Sequence, residues 1–268
     1  MKIMTFNILE GGDSLLNNLT YRLDTIARIV RGANPDIVAL QECTDWDKDG
    51  QKTLHEFERQ VGMLALLAVT NGFPVGLLVK PDYGIMFADA LTKGFWHGAL
   101  DVVVADADNV TTRFMNVHLH PNDPRVKFRE ISKVLEQYEG GERTIILGDM
   151  NSLSHLDKIE LSDLSEQTQS RQVVDGALDF RVSRSLQAAG FVDAYAALHA
   201  GNPEPTIPTR AARGSIFTPA RLDYIYVSRD LRSSLRSIEV VKNDDSDVAS
   251  DHYPLVLEIA DASMNGRT

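Results

Sequence analysis

The stretch Thr144-Ile-Ile-Leu-Gly-Asp-Met-Asn151 joins a short apolar run to two polar side chains that lie two residues apart. Residues Thr144 to Leu147 are typical of a buried strand, and Gly148 followed by Asp149 marks the point where such a strand stops. Taken alone, Gly-Asp-Met-Asn is also a common turn sequence. Its interpretation therefore depends on whether other strands of the chain end in the same way.

Other apolar runs of the chain also stop beside polar residues that carry oxygen or imidazole groups. The residues at these points are Asn7, Glu42, His118, Asp149 with Asn151, and Asp251 with His252. In α/β folds the ends of the strands meet at one edge of the sheet, where ligands bind. We therefore expect these side chains to gather at one edge. Oxygen donors and imidazole without a thiolate suit Mg²⁺, or Mn²⁺, together with a substrate phosphate.

Helices and strands alternate along the first part of the chain. Apolar spacing predicts helices through Leu23 to Val30, Leu54 to Val61 and Ile131 to Tyr138. Apolar runs predict strands at residues 2–8, 37–40, 64–69, 75–79, 100–105, 112–119, 144–147, 222–227, 238–241 and 255–259. The turn at 106–109 predicts a hairpin, so a mixed sheet system with helices outside is favoured over a purely parallel sheet. Residues 154–174 show no clear pattern.

The composition of the 268 residues is that of a globular protein, with 43% hydrophobic and 24% charged residues. The longest apolar stretch, Met63 to Val69, is far shorter than the roughly 20 residues of a membrane span. A single cysteine, Cys43, cannot form an intrachain disulfide, and the polar Asn7 comes too early for a signal peptide. We therefore expect a cytoplasmic protein, a monomer, with no membrane span.

The acidic balance of the chain limits how it can bind nucleic acid. It has 27 basic and 38 acidic residues, for a net charge of −11. This charge argues against binding nucleic acid by bulk charge, although an enzyme that contacts a phosphate through a metal stays compatible with it. Nucleic acid therefore remains a candidate partner beside other phosphate esters.

Six motifs follow one another along the chain: Thr5-Phe-Asn-Ile8, Leu40-Gln-Glu42, Asn116-Val-His-Leu119, Gly148-Asp-Met-Asn151, Arg221-Leu-Asp-Tyr224 and Ser250-Asp-His252. Together, and in this order, they resemble the endonuclease/exonuclease/phosphatase superfamily, which includes deoxyribonuclease I and abasic-site endonucleases. Each motif alone is weak, but six in order over nearly the whole chain are specific. The resemblance implies an α/β fold of four layers, in which two mixed β-sheets pack face to face with helices outside. It also implies a single domain over residues 1–268.

The resemblance further implies a metal-dependent phosphoric ester hydrolase and gives the site residues their roles. The implied metal ligands are Asn7, Glu42 and Asp251. Asp149 would orient or deprotonate the attacking water, and Asn151 would donate its amide to a non-bridging oxygen. His252 would contact the scissile phosphate with Asp223 orienting its ring, and His118 would donate to the phosphate from the other side.

Three further residues are candidates for substrate binding. His118 and His120 lie two residues apart on the predicted strand; the family pattern favours His118 as the site residue, and His120 is kept as a residue that touches substrate. The stretch from Thr209 to Leu222 has three arginines and no acidic residue. It is either a solvated loop or a segment in which Arg210 or Arg213 binds phosphate.

Two functional classes are consistent with these residues. The first is a Mg²⁺-dependent phosphoesterase that acts on a phosphodiester or a phosphomonoester, with a nuclease as its alternative form. The second is a catalytically silent binding module of the same fold, which the complete set of chemical residues disfavours. A calcineurin-like phosphatase also uses a Gly-Asp motif, but its Gly-Asn-His-Glu segment is absent. The fold leaves the substrate open.

Overall fold

Two six-stranded mixed sheets form the centre of the molecule in this computed structural model, which describes residues 1–13, 20–70, 72–200, 203–212 and 216–260. In spatial order, the first sheet contains β13 (Leu235–Val240), β14 (Leu255–Ile259), β1 (Lys2–Asn7), β2 (Ile37–Gln41), β4 (Val75–Val79) and β3 (Leu64–Ala68). The second contains β11 (Phe191–Asp193), β12 (Asp223–Ser228), β8 (Thr144–Asp149), β7 (Thr111–His118), β6 (Ala99–Ala105) and β5 (Gly84–Leu91). Each sheet has one parallel pair, β1 with β2 and β7 with β8.

The described residues also form α-helices. They are α1 (Leu23–Ala33), α2 (Lys52–Val61), α3 (Pro124–Glu136), α4 (Glu166–Gln172), α5 (Arg181–Ala188), α6 (Ala194–Leu198) and α7 (Ser246–Ala249). Helices α1 and α2 pack on the outer face of the first sheet and α3 and α5 on that of the second, whereas Ala194 and Tyr195 of α6 pack in the core between the sheets. Short 3₁₀ helices span Glu10–Gly12, Leu161–Asp163 and Arg229–Ser234, and a small separate hairpin pairs β9 (Val173–Val174) with β10 (Ala177–Leu178).

Alternation along the strands divides the apolar side chains between the layers. In β1, Ile3 lies in the core between the sheets, and its neighbour Met4 packs against α1 and α2. In β8, Ile145 faces the core between the sheets and Ile146 packs under α3 and α5. Because both faces of β8 are buried, it contains the continuous apolar run Ile145 to Leu147. The molecule is therefore the four-layer α/β sandwich that the sequence predicted.

The predicted strands and helices are confirmed, with differences at three places. Strand β5 was not predicted, because as an exposed edge strand it lacks the apolar alternation of a buried one. The unpatterned segment folds into α4 and the β9–β10 hairpin, and α5, β11 and α6, which follow it, were also missed. Strand β7 ends at His118, so the expectation that His118 and His120 lie on one strand was wrong. Within the described residues, no helix is long and apolar enough to cross a membrane.

Arg221 belongs to the interior, which corrects the interpretation of 209–222 as one basic surface segment. Its guanidinium is 2% exposed and pairs with Asp157 at 2.6 Å and with Asp193 at 2.7 Å. It also stacks on the ring of Tyr224, with 4.4 Å from Cζ to the ring centroid. Asp193 in addition caps α6 by accepting the backbone N–H groups of Tyr195 and Ala196. Arg221 is thus a structural cation and does not contact phosphate.

Replacing Arg221 should destabilise the fold. In Arg221→Met two carboxylates lose their buried partner, so the free energy of unfolding should fall by about 3–5 kcal/mol. Urea denaturation measures this. Arg232→Met, at an exposed position of the surface 3₁₀ helix, is the control and should stay within about 0.5 kcal/mol of wild type. Equal midpoints for the two variants would contradict the structural role.

Candidate active site

Strand register places three of the predicted site residues side by side in the second sheet. Asp149 at the end of β8 pairs with His118 of β7 on one side and with Asp223 of β12 on the other. Directly paired residues point to the same face of a sheet. Asp149 has the same parity as the core residues Ile145 and Leu147, so all three side chains point into the space between the sheets. Their proximity is a consequence of strand pairing.

Gly148 allows this strand end to approach its neighbour. Its φ is +133°, and a Cβ at this position would lie 1.9 Å from the carbonyl oxygen of Val117 in β7. A side chain here would push the two strands apart and would require a backbone conformation that L residues rarely adopt. The glycine of the Gly-Asp motif is therefore what brings Asp149 beside His118.

The first sheet contributes Asn7 and Glu42 from the opposite side. The side-chain amide nitrogen of Asn7 donates to Glu42 Oε1 and to Asp149 Oδ2, both at 3.1 Å, and so bridges the two sheets. Glu42 follows β2 with a φ of +60°, and its second oxygen accepts the backbone N–H of Glu10 at 2.9 Å. Burial, and next the nearby carboxylate of Asp251, raise the pKa of Glu42. The strand ends thus converge from two sheets, and not at the edge of a single sheet.

His252 is held by a buried carboxylate. Its Nδ1 lies 2.8 Å from Asp223 Oδ2, and its Nε2 lies 3.8 Å from Asp149 Oδ2. Burial acts to lower the pKa of His252, but the carboxylates of Asp223, Asp149 and Asp251 outweigh it and hold the pKa well above the ordinary value. Because Nδ1 is paired with Asp223, Nε2 is the ring nitrogen directed toward Asp149.

Asp149 is the common neighbour of the residues around it. Its side chain contacts Asn7, lies 3.5 Å from His118 Nε2, and accepts the backbone N–H of Asn151 at 2.8 Å. Burial is the main cause that raises the pKa of Asp149 to about 7, and the charge of His252 acts in the opposite direction. A carboxylate with this pKa can take up a proton near neutral pH.

The surroundings of His118 disfavour a charged imidazole, in contrast to those of His252. Burial, followed by the neighbouring imidazoles of His97 and His252, lowers the pKa of His118 well below its ordinary value. Its Nδ1 is buried and has no hydrogen-bond partner among the described residues. A neutral imidazole still carries one N–H donor, so His118 can bind an oxygen without adding charge.

Asn151 is fixed in a left-handed conformation with a φ of +47°. One N–H of its side-chain amide donates to the carbonyl oxygen of Leu119 at 3.0 Å, and the amide carries a second N–H. Asp251 lies on the other side, where Ser250 Oγ donates to Asp251 Oδ1 at 3.3 Å and to the backbone oxygen of Asn7 at 2.7 Å. The predicted catalytic and metal-ligating residues are therefore drawn together.

The acidic groups of the site match the requirements of a cation. Asp149, Asp223 and His252 each offer a ligand atom within 4.8 Å of one another and form a buried group that could bind a metal. Asp223 Oδ1 is buried without a hydrogen-bond partner among the described residues. Glu42 and Asp251 repel each other at the neighbouring position. A cation would offset both the missing partner and the repulsion.

The sequence matches the Endonuclease/Exonuclease/phosphatase family over residues 4–252. The chain belongs to this family. No curated protein matches the sequence. Similar solved structures are an AP endonuclease from Archaeoglobus fulgidus, at 16% identity over 97% of this chain and 100% of that chain with a TM-score of 0.71, and D. rerio TDP2 complexed with single strand DNA product, at 16% identity over 97% and 99% with a TM-score of 0.67. A functionally unknown conserved protein from Enterococcus faecalis V583 shares 15% identity over 97% and 99%, with a TM-score of 0.73. At these identities the structures show a shared fold.

The substrate-binding candidates lie outside the cluster that carries the family motifs. The ring of His120 contacts that of Trp96 at a tilt, with 4.9 Å between centroids, and its Nδ1 accepts the backbone N–H groups of Asn122 and Asp123. Arg210 is exposed and pairs with Asp247 at 3.2 Å. Arg213 lies outside the described residues.

Two buried residues near the family motifs were missed by sequence analysis. His97 is buried, and the centroid of its ring lies 3.9 Å from that of His118. Lys127 is buried on α3, and its Nζ donates to the backbone oxygen of Arg171 at 2.7 Å. Lys127 lies four residues before Ile131 on the apolar side of the helix, so an ionisable residue on that stripe was an available signal. No sequence signal marks His97.

Lys127 should make stability depend on pH. Burial lowers its pKa to about 7; the charged groups around it are Asp149, Arg171, Asp179 and Asp123. The pKa of a lysine in the unfolded chain is ~10.4. Between about pH 7 and pH 10 the unfolded chain therefore binds more protons than the folded chain, and the free energy of unfolding rises with pH.

Comparison with Lys127→Met isolates this contribution. The free energy of unfolding of wild type should rise relative to the variant by at most about 1.4 kcal/mol per pH unit in this window. Urea denaturation at about pH 6 and about pH 9 measures it. Lys133→Met, whose ammonium lies at the surface of the same helix, should follow wild type at both values. Parallel curves for wild type and Lys127→Met would refute the assignment.

Proposed function

We propose that the chain is a Mg²⁺-dependent phosphoesterase that hydrolyses a phosphodiester or a phosphomonoester by in-line attack of an activated water, with Mn²⁺ as the alternative ion. The observation that carries the proposal is the set of contacts around Asp149. A buried carboxylate that lies against Asn7, His118 and His252 at once has the neighbours that a water and a phosphate require. A silent binding module would not need this arrangement of donors and acceptors.

Asn7, Glu42 and Asp251 are the residues that we propose to hold the metal. Burial and the carboxylate of Asp251 raise the pKa of Glu42, so a cation bound beside these two side chains would relieve their repulsion. Oxygen ligands of this kind suit Mg²⁺. When bound, the ion supplies Lewis-acid polarisation of the phosphorus and stabilisation of the leaving oxygen.

The remaining residues act on the water and on the phosphate oxygens. Asp149, with its raised pKa, accepts a proton from the attacking water. The free N–H of Asn151 and the N–H groups of His118 and His252 donate to non-bridging oxygens, where charge develops in the transition state. Asp223 fixes the ring of His252 so that Nε2–H is directed at the phosphate. No covalent enzyme intermediate is required.

We further propose that the preferred substrate is a compact phosphoester or a short single-stranded end, and not an internal site in duplex DNA. Duplex binding gains affinity from several neutralised phosphates. Of the three arginines in 209–222, Arg221 is not available for this because it is buried in ion pairs, and Arg210 is exposed but already paired with Asp247. Nuclease activity remains the second candidate, since one structural neighbour is TDP2 complexed with single strand DNA product.

A substrate panel tests this proposal. Phosphate release and oligonucleotide cleavage are measured with Mg²⁺, Mn²⁺, Ca²⁺ and excess chelator, on small phosphodiesters, short single strands and supercoiled plasmid. We expect metal-dependent turnover of the small or single-stranded substrates with a weak salt dependence. Full activity in chelator would refute the metal, and rapid plasmid nicking that falls steeply with salt would identify a duplex nuclease.

A further inference from the structure

A recess of about 90 Å³ opens directly beside the catalytic residues. Asn151, Asp251 and His252 form one side of it. The other walls include residues outside the family motifs, such as the apolar Ile207 and Pro208. A group attached to the reacting phosphate would therefore enter a recess that is only partly built from motif residues.

Arg171 lines this recess, and its guanidinium is available to bind a ligand. Its Cζ lies 4.2 Å from the centroid of the Phe217 ring, so one face of the cation is stacked. In the described part of the chain, no oxygen accepts a hydrogen bond from its side chain and no carboxylate forms an ion pair with it. A guanidinium that packs on an aromatic ring keeps its N–H groups available for a ligand.

Other buried or half-buried arginines have oxygen partners, in contrast to Arg171. Arg22 donates to the backbone oxygens of Ile8, Leu9 and Ala249. Arg113 and Arg221 pair with Asp101 and with two aspartates respectively. Burial lowers the pKa of Arg171, against which the carboxylate of Asp149 acts. A half-buried cation without a bonded oxygen bears a desolvation cost that a bound anion would offset.

The backbone of Arg171 is anchored to the catalytic residues. Lys127 Nζ donates to its carbonyl oxygen at 2.7 Å. The side-chain amide of the next residue, Gln172, donates to the backbone oxygen of Asn151 at 2.9 Å. The position of Arg171 is therefore set relative to the residue that we place on the scissile phosphate.

We infer that Arg171 binds a second phosphate group of the substrate, adjacent to the phosphate that is hydrolysed. This inference rests on the proposed phosphoesterase function and names its substrate class: a phosphoester that carries another phosphate. Guanidinium edges bind phosphate oxygens in a bidentate fork, which the stacking on Phe217 prepares. The same cation disfavours substrates whose second group is cationic, such as a choline ester.

A matched pair of esters tests the inference. The p-nitrophenyl ester of thymidine 5′-phosphate and its 3′-phosphorylated form release the same leaving group and differ only in the second phosphate. We expect kcat/KM of wild type to favour the 3′-phosphorylated ester by about tenfold or more. Arg171→Gln should lose this preference and leave kcat/KM for the single-phosphate ester within about twofold, and Arg171→Lys should keep part of it because it keeps the charge but not the fork.

Arg184→Gln is the control, because Arg184 is an exposed arginine near another phenylalanine ring, Phe180, away from the recess. It should retain the full preference. Equal kcat/KM values of wild type for the two esters, or a preference that persists in Arg171→Gln, would overturn the inference and leave the phosphoesterase proposal standing.

Equilibrium binding separates the two proposals. Thymidine 3′,5′-bisphosphate and thymidine 5′-monophosphate are titrated calorimetrically into wild type and Arg171→Gln with Mg²⁺ present. If neither ester is hydrolysed, the phosphoesterase proposal fails, yet tighter bisphosphate binding that Arg171→Gln abolishes still supports the anion site. Equal affinities of wild type for the two nucleotides would refute it.

Discussion

Glu42→Gln is expected to abolish metal-dependent phosphoester hydrolysis and to leave the fold intact. The change keeps the shape of the side chain and removes the anionic oxygen that we propose as the principal metal ligand. Several kcal/mol of transition-state stabilisation by a metal correspond to a loss of roughly a thousandfold or more in kcat/KM. Hydrolysis of a small phosphodiester over a range of Mg²⁺ concentrations measures the loss.

The stability of the same variant separates metal binding from folding. The raised pKa of Glu42, caused by burial and by Asp251, indicates that its charge is unfavourable without a cation. Glu42→Gln should therefore be at least as stable as wild type in chelator, whereas Mg²⁺ should raise the Tm of wild type only. Glu56→Gln, on the solvent side of α2 with its carboxylate 4.0 Å from Lys52, should behave as wild type throughout. Full activity in Glu42→Gln would exclude Glu42 as the ligand.

The strands were predictable from sequence because burial on both faces makes them continuous apolar runs, as in β2 and β8. Strand β5 was not, because all but the last of its residues are exposed and its pairing depends only on β6. The site residues were likewise predictable, because they lie at the ends of apolar runs. Their contacts depend on strand register, such as Asp149 beside both His118 and Asp223, which is defined only once the sheet order is known.

Ion pairs between distant segments explain what sequence analysis misjudged. Arg221 resembles a surface cation in a segment without acidic residues, yet its partners Asp157 and Asp193 lie 64 and 28 residues away. Arg171 is the opposite case, because it lies in an unpatterned segment and yet lies at the site. Hydrogen bonds from Lys127 and Gln172 hold its segment there. Local charge cannot distinguish a buried structural arginine from one directed at a ligand. That distinction requires the tertiary structure.

His252 and Asp223 are expected to act as one unit in catalysis. His252→Ala removes a donor to the phosphate and should lower kcat by about a thousandfold. Asp223→Ala leaves the imidazole in place without the 2.8 Å contact that orients it, so it should cost less, about 10- to 100-fold. Asp149→Asn removes the proton acceptor and should match the loss in His252→Ala, by a different route.

The double variant decides whether Asp223 works through the histidine. If Asp223 only orients His252, adding Asp223→Ala to His252→Ala should change kcat by less than about twofold, because no ring remains to be oriented. By contrast, Asp223→Ala should lower kcat of the otherwise wild-type enzyme with little change in KM, and a retained cooperative unfolding transition would show that the loss does not come from a smaller folded fraction. Losses that multiply in the double variant would show that Asp223 has a separate role, for which its position within 4.8 Å of Asp149 and His252 makes metal binding the natural candidate.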